Sequence, residues 1–309
     1  MTPVRTNFEP AAACRRRPAH PAWLVHLADY WTLTKPEVNF LVLVSTLVGF
    51  YLAAQGAVNG WLLFHTLMGT LLVASGTGTL NQFLERHTDA LMRRTANRPL
   101  PAGRLAPAEA FWFGILLSVG GGAELWIAAN PFTSALALAT LASYLVLYTP
   151  LKRQTPFCTL VGAIPGAMPP LIGWAAVRNG LSTQAWVLYA ILFFWQFPHL
   201  LAIAWMYRED YARAGLQMLP RRDCDGRATA RQIVSCTLAL LPVSLIPPFT
   251  GHAGWLYLVG AGALGVGFLY YGARMAAART NALAKQLLMA SIVYLPLVFA
   301  LLMFDRTRL

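Results

Sequence analysis

The sequence predicts an all-α membrane protein whose chain crosses the bilayer nine times. Hydrophobic residues make up 57% of the 309 residues and charged residues 12%, whereas charged residues run near ~25% in soluble domains. Each of four long segments with one charge or none has room for two helices of about 20 residues, and a fifth has room for one. These segments are residues 38–84, 110–151, 154–207, 232–273 and 286–304.

The distribution of basic residues predicts the orientation of these spans. Short turns are expected near residues 55–60, 130–131, 177–183 and 250–253. Of the 24 Lys and Arg residues, 21 lie before the first span or in the four long connections, while the turns hold only Arg178 and the tail Arg306 and Arg308. The positive-inside bias therefore places the N-terminus and the long connections in the cytoplasm, with the chain in a bacterial inner membrane. The net charge of +12 then reflects topology and anionic lipid, and it requires no nucleic acid partner.

The chain divides into a short N-terminal region and one large domain. Residues 1–34 are interpreted as a basic arm followed by an interfacial segment, and residues 35–309 as the nine-helix domain. Glu9 and several prolines distinguish the arm from a mitochondrial transit sequence. Lys35 precedes a proline at the start of the first span and is interpreted as a lysine that snorkels to the interface. The four cysteines form no CxxC pair, and two of them, Cys14 and Cys224, fall in predicted cytoplasmic segments, so no disulfide is expected.

Residues 81–99, here called the first polar segment, interrupt this apolar pattern at the end of the second span. Asn81, Glu85 and Asp89 recur every fourth residue, which places three oxygen donors along one face of a helix. Arginines follow, including Arg94 and Arg98, whose guanidinium groups match phosphate oxygens. Carboxylates and arginines together suit a phosphorylated substrate with bound Mg²⁺.

Residues 195–211, here called the second polar segment, lie at the end of the sixth span and therefore on the same side. Trp195, Gln196 and His199 surround a proline inside the span, and Arg208 and Asp210 follow at its end. Two charged segments at the edge of an apolar interior indicate a site for an amphiphile with a charged head, such as an isoprenyl diphosphate. A secondary transporter is the alternative, but carriers place their sites at the membrane midplane.

Other polar and proline residues receive structural interpretations. His65 is expected to be a hydrogen-bonded packing residue, and Glu124 is given no role. The charges at residues 221–231 are interpreted as a solvated connector. Three prolines are expected to break the fifth span and to leave an opening there, namely Pro165, Pro169 and Pro170.

Four separated motifs resemble those of the UbiA superfamily of intramembrane prenyltransferases, and within it the branch that farnesylates haem. The motifs span nearly the whole chain, and Glu85 stands where many relatives have Asp. They are Thr34, Lys35 and Pro36; Asn81, Glu85, Asp89, Met92, Arg94, Thr95, Arg98 and Pro99; Trp195, Gln196, Pro198 and His199; and Tyr207, Arg208, Asp210 and Tyr211.

The resemblance implies that farnesyl diphosphate is ionised and that a vinyl group of haem B attacks the farnesyl carbon. Water would then complete the hydroxyethylfarnesyl side chain of haem O, and diphosphate would be released. Mg²⁺ would be held by Asn81, Glu85, Asp89 and Asp210. The diphosphate would be bound by Lys35, Arg94, Arg98 and Arg208. Haem would be contacted by Trp195, Gln196 and His199.

The resemblance leaves alternatives for His199 and for the acceptor. His199 is interpreted as an axial ligand or propionate partner of haem, or else as a residue that braces the proline kink. A UbiA-type enzyme with an aromatic acid or chlorophyllide as acceptor would share the first polar segment but not residues 195–199. Partners in haem A synthesis or oxidase assembly are expected to receive the product.

Overall fold

The structure is a computed structural model that describes residues 22–54, 56–223 and 225–307. Within these ranges nine helices are long and apolar enough to cross a membrane, as the sequence predicts, and we number them spans 1 to 9. The basic arm, Cys14 and Cys224 lie outside the described residues. Spans 1 to 9 are Pro36–Ala53, Gly60–Asp89, Pro107–Ala128, Pro131–Leu151, Cys158–Arg178, Thr183–Met206, Arg227–Phe249, Trp255–Ala278 and Asn281–Phe304.

The connections between the spans divide the molecule into two ends. At the end we call the turn end, Asn130 bonds to the carbonyl of Ala175 through its side-chain nitrogen at 3.0 Å, and Arg306 donates to the carbonyl of Tyr51 at 2.9 Å. The opposite end, which we call the loop end, carries the long connections. The described residues of the turn-end connections are 54, 56–59, 129–130, 179–182 and 250–254, and the predicted short turns are thereby confirmed.

A helix precedes span 1 at the loop end. This helix, Ala22–Leu33, exposes Trp23 and Trp31, in keeping with the aromatic interfacial segment that the sequence predicts. Lys35 then adopts the left-handed conformation with φ 53° and ψ 60°, and Pro36 begins span 1. The left-handed residue separates the two helices, and proline is well suited to the first helical position.

Spans 2 and 3 pack closely because small residues line their contact. A Cβ atom added at Gly76 would lie 2.2 Å from the hydroxyl oxygen of Ser118, so only glycine fits there. The largest buried apolar cluster joins span 1 to spans 5 through 9, and a smaller cluster connects spans 2, 3 and 4 to span 5.

Two spans near the polar segments depart from a regular α-helix. Span 5 consists of Cys158–Gly166 and Pro169–Arg178, which confirms the break predicted from its prolines. The side-chain nitrogen of Gln196 donates to the carbonyl of Ala163 at 2.8 Å and so helps to satisfy the backbone beside the break. Span 4 contains a π-helical stretch, Ser143–Tyr148, before it ends.

Candidate active site

The three oxygen donors of the first polar segment lie on one face at the loop end of span 2. The side-chain nitrogen of Asn81 donates to Glu85 Oε2 at 3.0 Å, as expected for residues one helical turn apart. Asn81 and Asp89 are each only 1% exposed. Because span 2 extends to Asp89, the helix carries this polar face from the apolar interior to the edge of the loops.

Each of these three side chains contacts a cation from another part of the chain. Glu85 Oε1 accepts from Lys152 Nζ at 2.8 Å, and Asp89 Oδ2 accepts from Arg98 Nη1 at 2.7 Å. Asn81 Oδ1 accepts from Lys35 Nζ at 2.9 Å. Buried charges require such partners, since an isolated charge in a dry interior is costly. Both acids are therefore paired with a cation, while the third cation, Lys35, has a neutral amide as its partner.

Lys35 points into the site, so its interpretation as a snorkelling lysine is wrong. Its stem passes Gly78, where an added Cβ atom would lie 3.4 Å from the Lys35 side chain. The left-handed backbone and this glycine together direct the ammonium inward to Asn81. Burial, with the positive charges of Arg98 and Lys152, lowers the pKa of Lys35 to about 7. An incoming anion would favour its charged form.

The two polar segments meet at the loop end. Asp210 Oδ2 accepts from the backbone N–H of Arg94 at 3.2 Å, while its other oxygen accepts from Arg213. The guanidinium of Arg94 lies 5.0 Å from the centre of the Tyr207 ring. Buried Met92 packs with Tyr211 in the same small apolar cluster. The fold thus joins residues that lie more than 100 positions apart in the sequence.

Arg208 lies beside the site rather than among its acids. Its guanidinium donates to the carbonyl of Trp205 at 2.9 Å and to Asn281 Oδ1 at 2.8 Å. It also stacks over the Trp205 ring, 5.1 Å from the centre. A role in diphosphate binding would require its side chain to leave Asn281.

Trp195 and His199 form a separate group against span 9. The indole N–H of Trp195 donates to the carbonyl of Ser291 at 2.8 Å, and His199 Nδ1 bonds to the Ser291 hydroxyl at 2.8 Å. The two rings stack with their centres 4.8 Å apart. His199 precedes the end of span 6 at Met206 by seven residues, about 10 Å along the helix. This group therefore lies deeper in the membrane than Asp210.

Lys152 and Thr149 belong to the site, although from the sequence Lys152 is only one of the basic residues of the long connections. Thr149 Oγ1 accepts from the Asn81 side chain at 3.3 Å. Lys152 is 8% exposed, and its ammonium lies 4.4 Å from the centre of the Tyr148 ring. A usable signal exists, because Tyr144, Tyr148 and Lys152 recur every fourth residue at the end of a span.

His65 and Glu124 form a pair outside the site. His65 Nδ1 and Glu124 Oε1 lie 2.5 Å apart between spans 2 and 3. This confirms that His65 is a hydrogen-bonded packing residue and supplies its partner. Both side chains belong to the half of the membrane nearer the turn end, because His65 follows the start of span 2 by only five residues.

The donor types at the loop end suit a metal-bound diphosphate. Amide and carboxylate oxygens are the ligands that Mg²⁺ prefers, and ammonium and guanidinium groups bind phosphate oxygens. Within the ranges that the structure describes, no three His, Cys, Asp or Glu side chains are grouped to hold a metal, and the acids of the site bond to cations. Exchange of these partners would free both sets of groups for a metal and its diphosphate.

The chain is similar in sequence to curated enzymes along most of its length. It is 53% identical over 293 residues to the protoheme IX farnesyltransferase of Solibacter usitatus, an alignment that covers 92% of this chain and 100% of the relative. It is 45% identical over 291 residues to the enzyme of the same name from Koribacter versatilis, covering 91% and 94%.

Solved structures share the fold at low sequence identity. Digeranylgeranylglyceryl phosphate synthase superposes with a TM-score of 0.75 at 15% identity, covering 90% of this chain and 98% of the other. A UbiA homologue from Archaeoglobus fulgidus, bound to GPP and Mg²⁺, gives a TM-score of 0.63 at 16% identity, covering 89% and 99%. Residues 42–301 match the UbiA prenyltransferase family. The chain therefore belongs to the UbiA prenyltransferase family.

Proposed function

We propose that this chain transfers the farnesyl group of farnesyl diphosphate to a vinyl group of haem B and adds water, giving haem O and diphosphate. The observation that carries the proposal is its similarity, over more than 90% of its length, to relatives named protoheme IX farnesyltransferase. The geometry supports it, because a charged site lies at one end of an apolar bundle. Such an arrangement suits a substrate with a diphosphate head and an isoprenoid tail.

The cations of the loop end bind the diphosphate in this proposal. Lys35 and Arg98 already bond to the polar face of span 2, and Arg94 lies where the two polar segments meet. Arg208 would join them after releasing Asn281. As the bond to the farnesyl carbon breaks, negative charge grows on the diphosphate, so these groups stabilise the transition state more than the bound substrate.

The amide and carboxylates of the same site would hold Mg²⁺. These residues are Asn81, Glu85, Asp89 and Asp210, and their oxygens fit a hard cation. When bound, the metal neutralises charge on the leaving diphosphate. The relative from Archaeoglobus fulgidus was solved with GPP and Mg²⁺, which supports metal dependence in this family.

The reaction begins when the bond between the farnesyl carbon and the diphosphate oxygen breaks, with the electron pair leaving on the diphosphate. The terminal vinyl carbon of haem B then forms a bond to the allylic cation. A water molecule adds to the cation that remains beside the porphyrin and releases a proton. The residues in contact with the haem are proposed to be Trp195, Gln196 and His199, which lie deeper than the charged site.

The chain is a multi-pass membrane protein, and its orientation is part of the proposal. We propose a bacterial inner membrane with the loop end facing the cytoplasm, where diphosphate substrates are soluble and basic residues accumulate. Haem O would then pass to haem A synthase or to assembly factors of a haem-copper oxidase.

The reaction is tested by incubating membranes that contain the protein with haem B, farnesyl diphosphate and Mg²⁺. The extracted haems are then weighed by mass spectrometry. We expect a haem heavier by one farnesyl group plus water. Asp89→Asn should abolish this product, because it removes the charge that holds Arg98 and would hold the metal.

Asp29→Asn is the matched control. Asp29 is another buried aspartate at the loop end and is held by Arg104 Nε at 2.9 Å, but it touches none of the site residues. Its variant should still form product. Unchanged haem with well-folded wild-type protein would overturn the haem assignment and favour a UbiA-type enzyme with another acceptor.

A further inference from the structure

A cavity of about 620 Å³ opens at the turn end, across the bundle from the candidate active site. Its volume falls within the range of ligand pockets, about 300–1,000 Å³. Trp174, Leu188 and Leu302 supply apolar walls from three different spans. Arg178 and Arg306 both line the cavity, and no Asp or Glu is found among the described residues that line it. The cavity is therefore apolar in its walls and positive in charge.

Arg178 carries a guanidinium without a protein partner at this cavity. The residue is exposed, and no hydrogen bond or ion pair joins its guanidinium to the part of the chain that the structure describes. Arg306, in contrast, bonds to the backbone carbonyls of Tyr51 and Ala54 at the end of span 1. Arg306 thus has a structural role, and Arg178 is available to a ligand.

The start of span 6 adds a second positive feature to the cavity. Ser182 precedes this 24-residue helix, and its side chain makes no capping hydrogen bond. Its hydroxyl oxygen is buried and has no hydrogen-bond partner among the described residues, although buried hydroxyls are normally paired. Ser182 and Gln184 both line the cavity. Uncapped amide groups at a helix N-terminus favour an anion.

Exposed tryptophans show the depth at which the cavity lies. Trp61, Trp126, Trp186 and Trp255 belong to four different spans, all at the turn end, and are 71%, 58%, 49% and 75% exposed. Tryptophan is enriched where the apolar membrane core meets the lipid head groups. The cavity is therefore at head-group depth.

From these observations we propose that the turn-end cavity binds the head group of an anionic phospholipid. The phosphate accepts hydrogen bonds from the Arg178 guanidinium and from the uncapped amide groups at the start of span 6. The first part of the acyl chains lies along Trp174, Leu188 and Leu302. This binding site is independent of the proposed reaction, since its residues lie at the opposite end of the bundle.

The test uses the full-length protein in phosphatidylcholine vesicles and lipids whose chains carry bromine, which quenches nearby tryptophans. The difference between wild type and Trp174→Phe isolates the fluorescence of the cavity wall. Brominated phosphatidylglycerol should quench this component at a mole fraction about fivefold lower than brominated phosphatidylcholine does, the preference that one arginine near a membrane gives. Arg178→Gln should remove the preference.

Two further variants test whether the preference depends on the positive charge at position 178 and on its place in the cavity. Arg178→Lys keeps the charge and should keep the preference. Arg231→Gln removes an exposed arginine at the loop end and should leave it unchanged. An equal preference in Arg178→Gln and wild type would overturn the proposal. So would loss of the wild-type preference in excess inorganic phosphate, which would show that the cavity takes a free anion instead.

Discussion

At the scale of single residues, the candidate site is a set of paired opposite charges. Glu85 is held by Lys152, and Asp89 by Arg98, while Lys35 bonds to the neutral amide of Asn81. Each of the two pairs supplies a buried carboxylate with a counter-charge, whereas Lys35 has only a neutral partner. In the proposed function, a metal and a diphosphate would together replace these internal partners.

The first prediction at this scale concerns the contribution of Lys152 to activity. Lys152→Gln should lower kcat/KM for farnesyl diphosphate by about 10²-fold, the loss expected when one group that stabilises developing charge is removed. Lys152→Arg should recover part of the activity, because it restores the charge beside Glu85. The measurement is steady-state kinetics in detergent or vesicles.

Lys285→Gln removes an exposed lysine from the loop end that forms no ion pair with the acids of the site among the described residues. It should retain full activity. A Lys152→Gln enzyme with wild-type kcat/KM would contradict a role for Lys152 in the site.

His199 provides a second prediction, concerned with the acceptor. Its Nδ1 is fixed by Ser291, as the outer nitrogen of a ligating histidine commonly is. His199→Gln should raise KM for haem about tenfold and leave KM for farnesyl diphosphate unchanged. Titration of the Soret band of haem should show the same weakening.

His65→Gln is the control, because His65 is also a hydrogen-bonded histidine within a span. It should leave the KM for haem unchanged. Parallel changes in both KM values for His199→Gln would identify His199 as a residue that only braces the kinked helix.

The sequence predicts much of the site at this scale but not its partners. The four-residue spacing of Asn81, Glu85 and Asp89 was sufficient to predict one polar face, because helical geometry alone sets it. The inward direction of Lys35 depends on a left-handed backbone and on the space beside Gly78. No local sequence pattern predicts either feature. Lys152 reaches Glu85 only through the packing of spans 2 and 4.

At the scale of elements, close helix crossings determine where the spans lie. A Cβ atom added at Gly173 of span 5 would lie 2.0 Å from the carbonyl oxygen of Thr46 in span 1. One at Gly49 would lie equally close to the carbonyl oxygen of Pro170. Two reciprocal glycines thus bring the backbones of spans 1 and 5 into contact, as small residues do in membrane helix pairs.

Gly173→Ala should therefore lower the free energy of unfolding by about 1–3 kcal/mol, the usual cost of overpacking. The measurement is unfolding of the purified protein in mixed detergent micelles. Gly267→Ala is the control, since no atom lies within 4 Å of its added Cβ. Equal stability of the two variants would show that spans 1 and 5 separate readily.

At the scale of the whole molecule, the long uncharged segments of the sequence were sufficient to predict the number of spans, but not how the spans pack against one another. Long uncharged segments predict membrane helices because unpaired charges are costly in lipid. Which spans pack together depends on small surface features such as Gly76 and Gly173, and the π-helical part of span 4 has no clear sequence signal. The sequence predicted that the two polar segments lie on the same side of the membrane, but it did not predict that they are in contact.

Orientation gives a prediction at this scale. In a variant whose native cysteines are replaced by serine, Ala57→Cys at the turn end should react with an impermeant maleimide added outside spheroplasts. Ala102→Cys at the loop end should react only after the membrane is opened. Both alanines are exposed, so access to the reagent is the main difference between them. The reverse pattern would contradict a cytoplasmic loop end.

The π-helical stretch Ser143–Tyr148 has a consequence for how the site could be lost. A π-turn holds one residue more than an α-turn, and each residue rotates an α-helix by about 100°. Thr149 and Lys152 follow this stretch. Their contacts with Asn81 and Glu85 are made in a helix that contains the extra residue. Deletion of one residue within it would return the wide turn to an α-turn and leave both side chains facing span 2, whereas deletion of one residue from the α-helix before it, Pro131–Ala142, would rotate both away. A chain with every site residue intact would then lack the site.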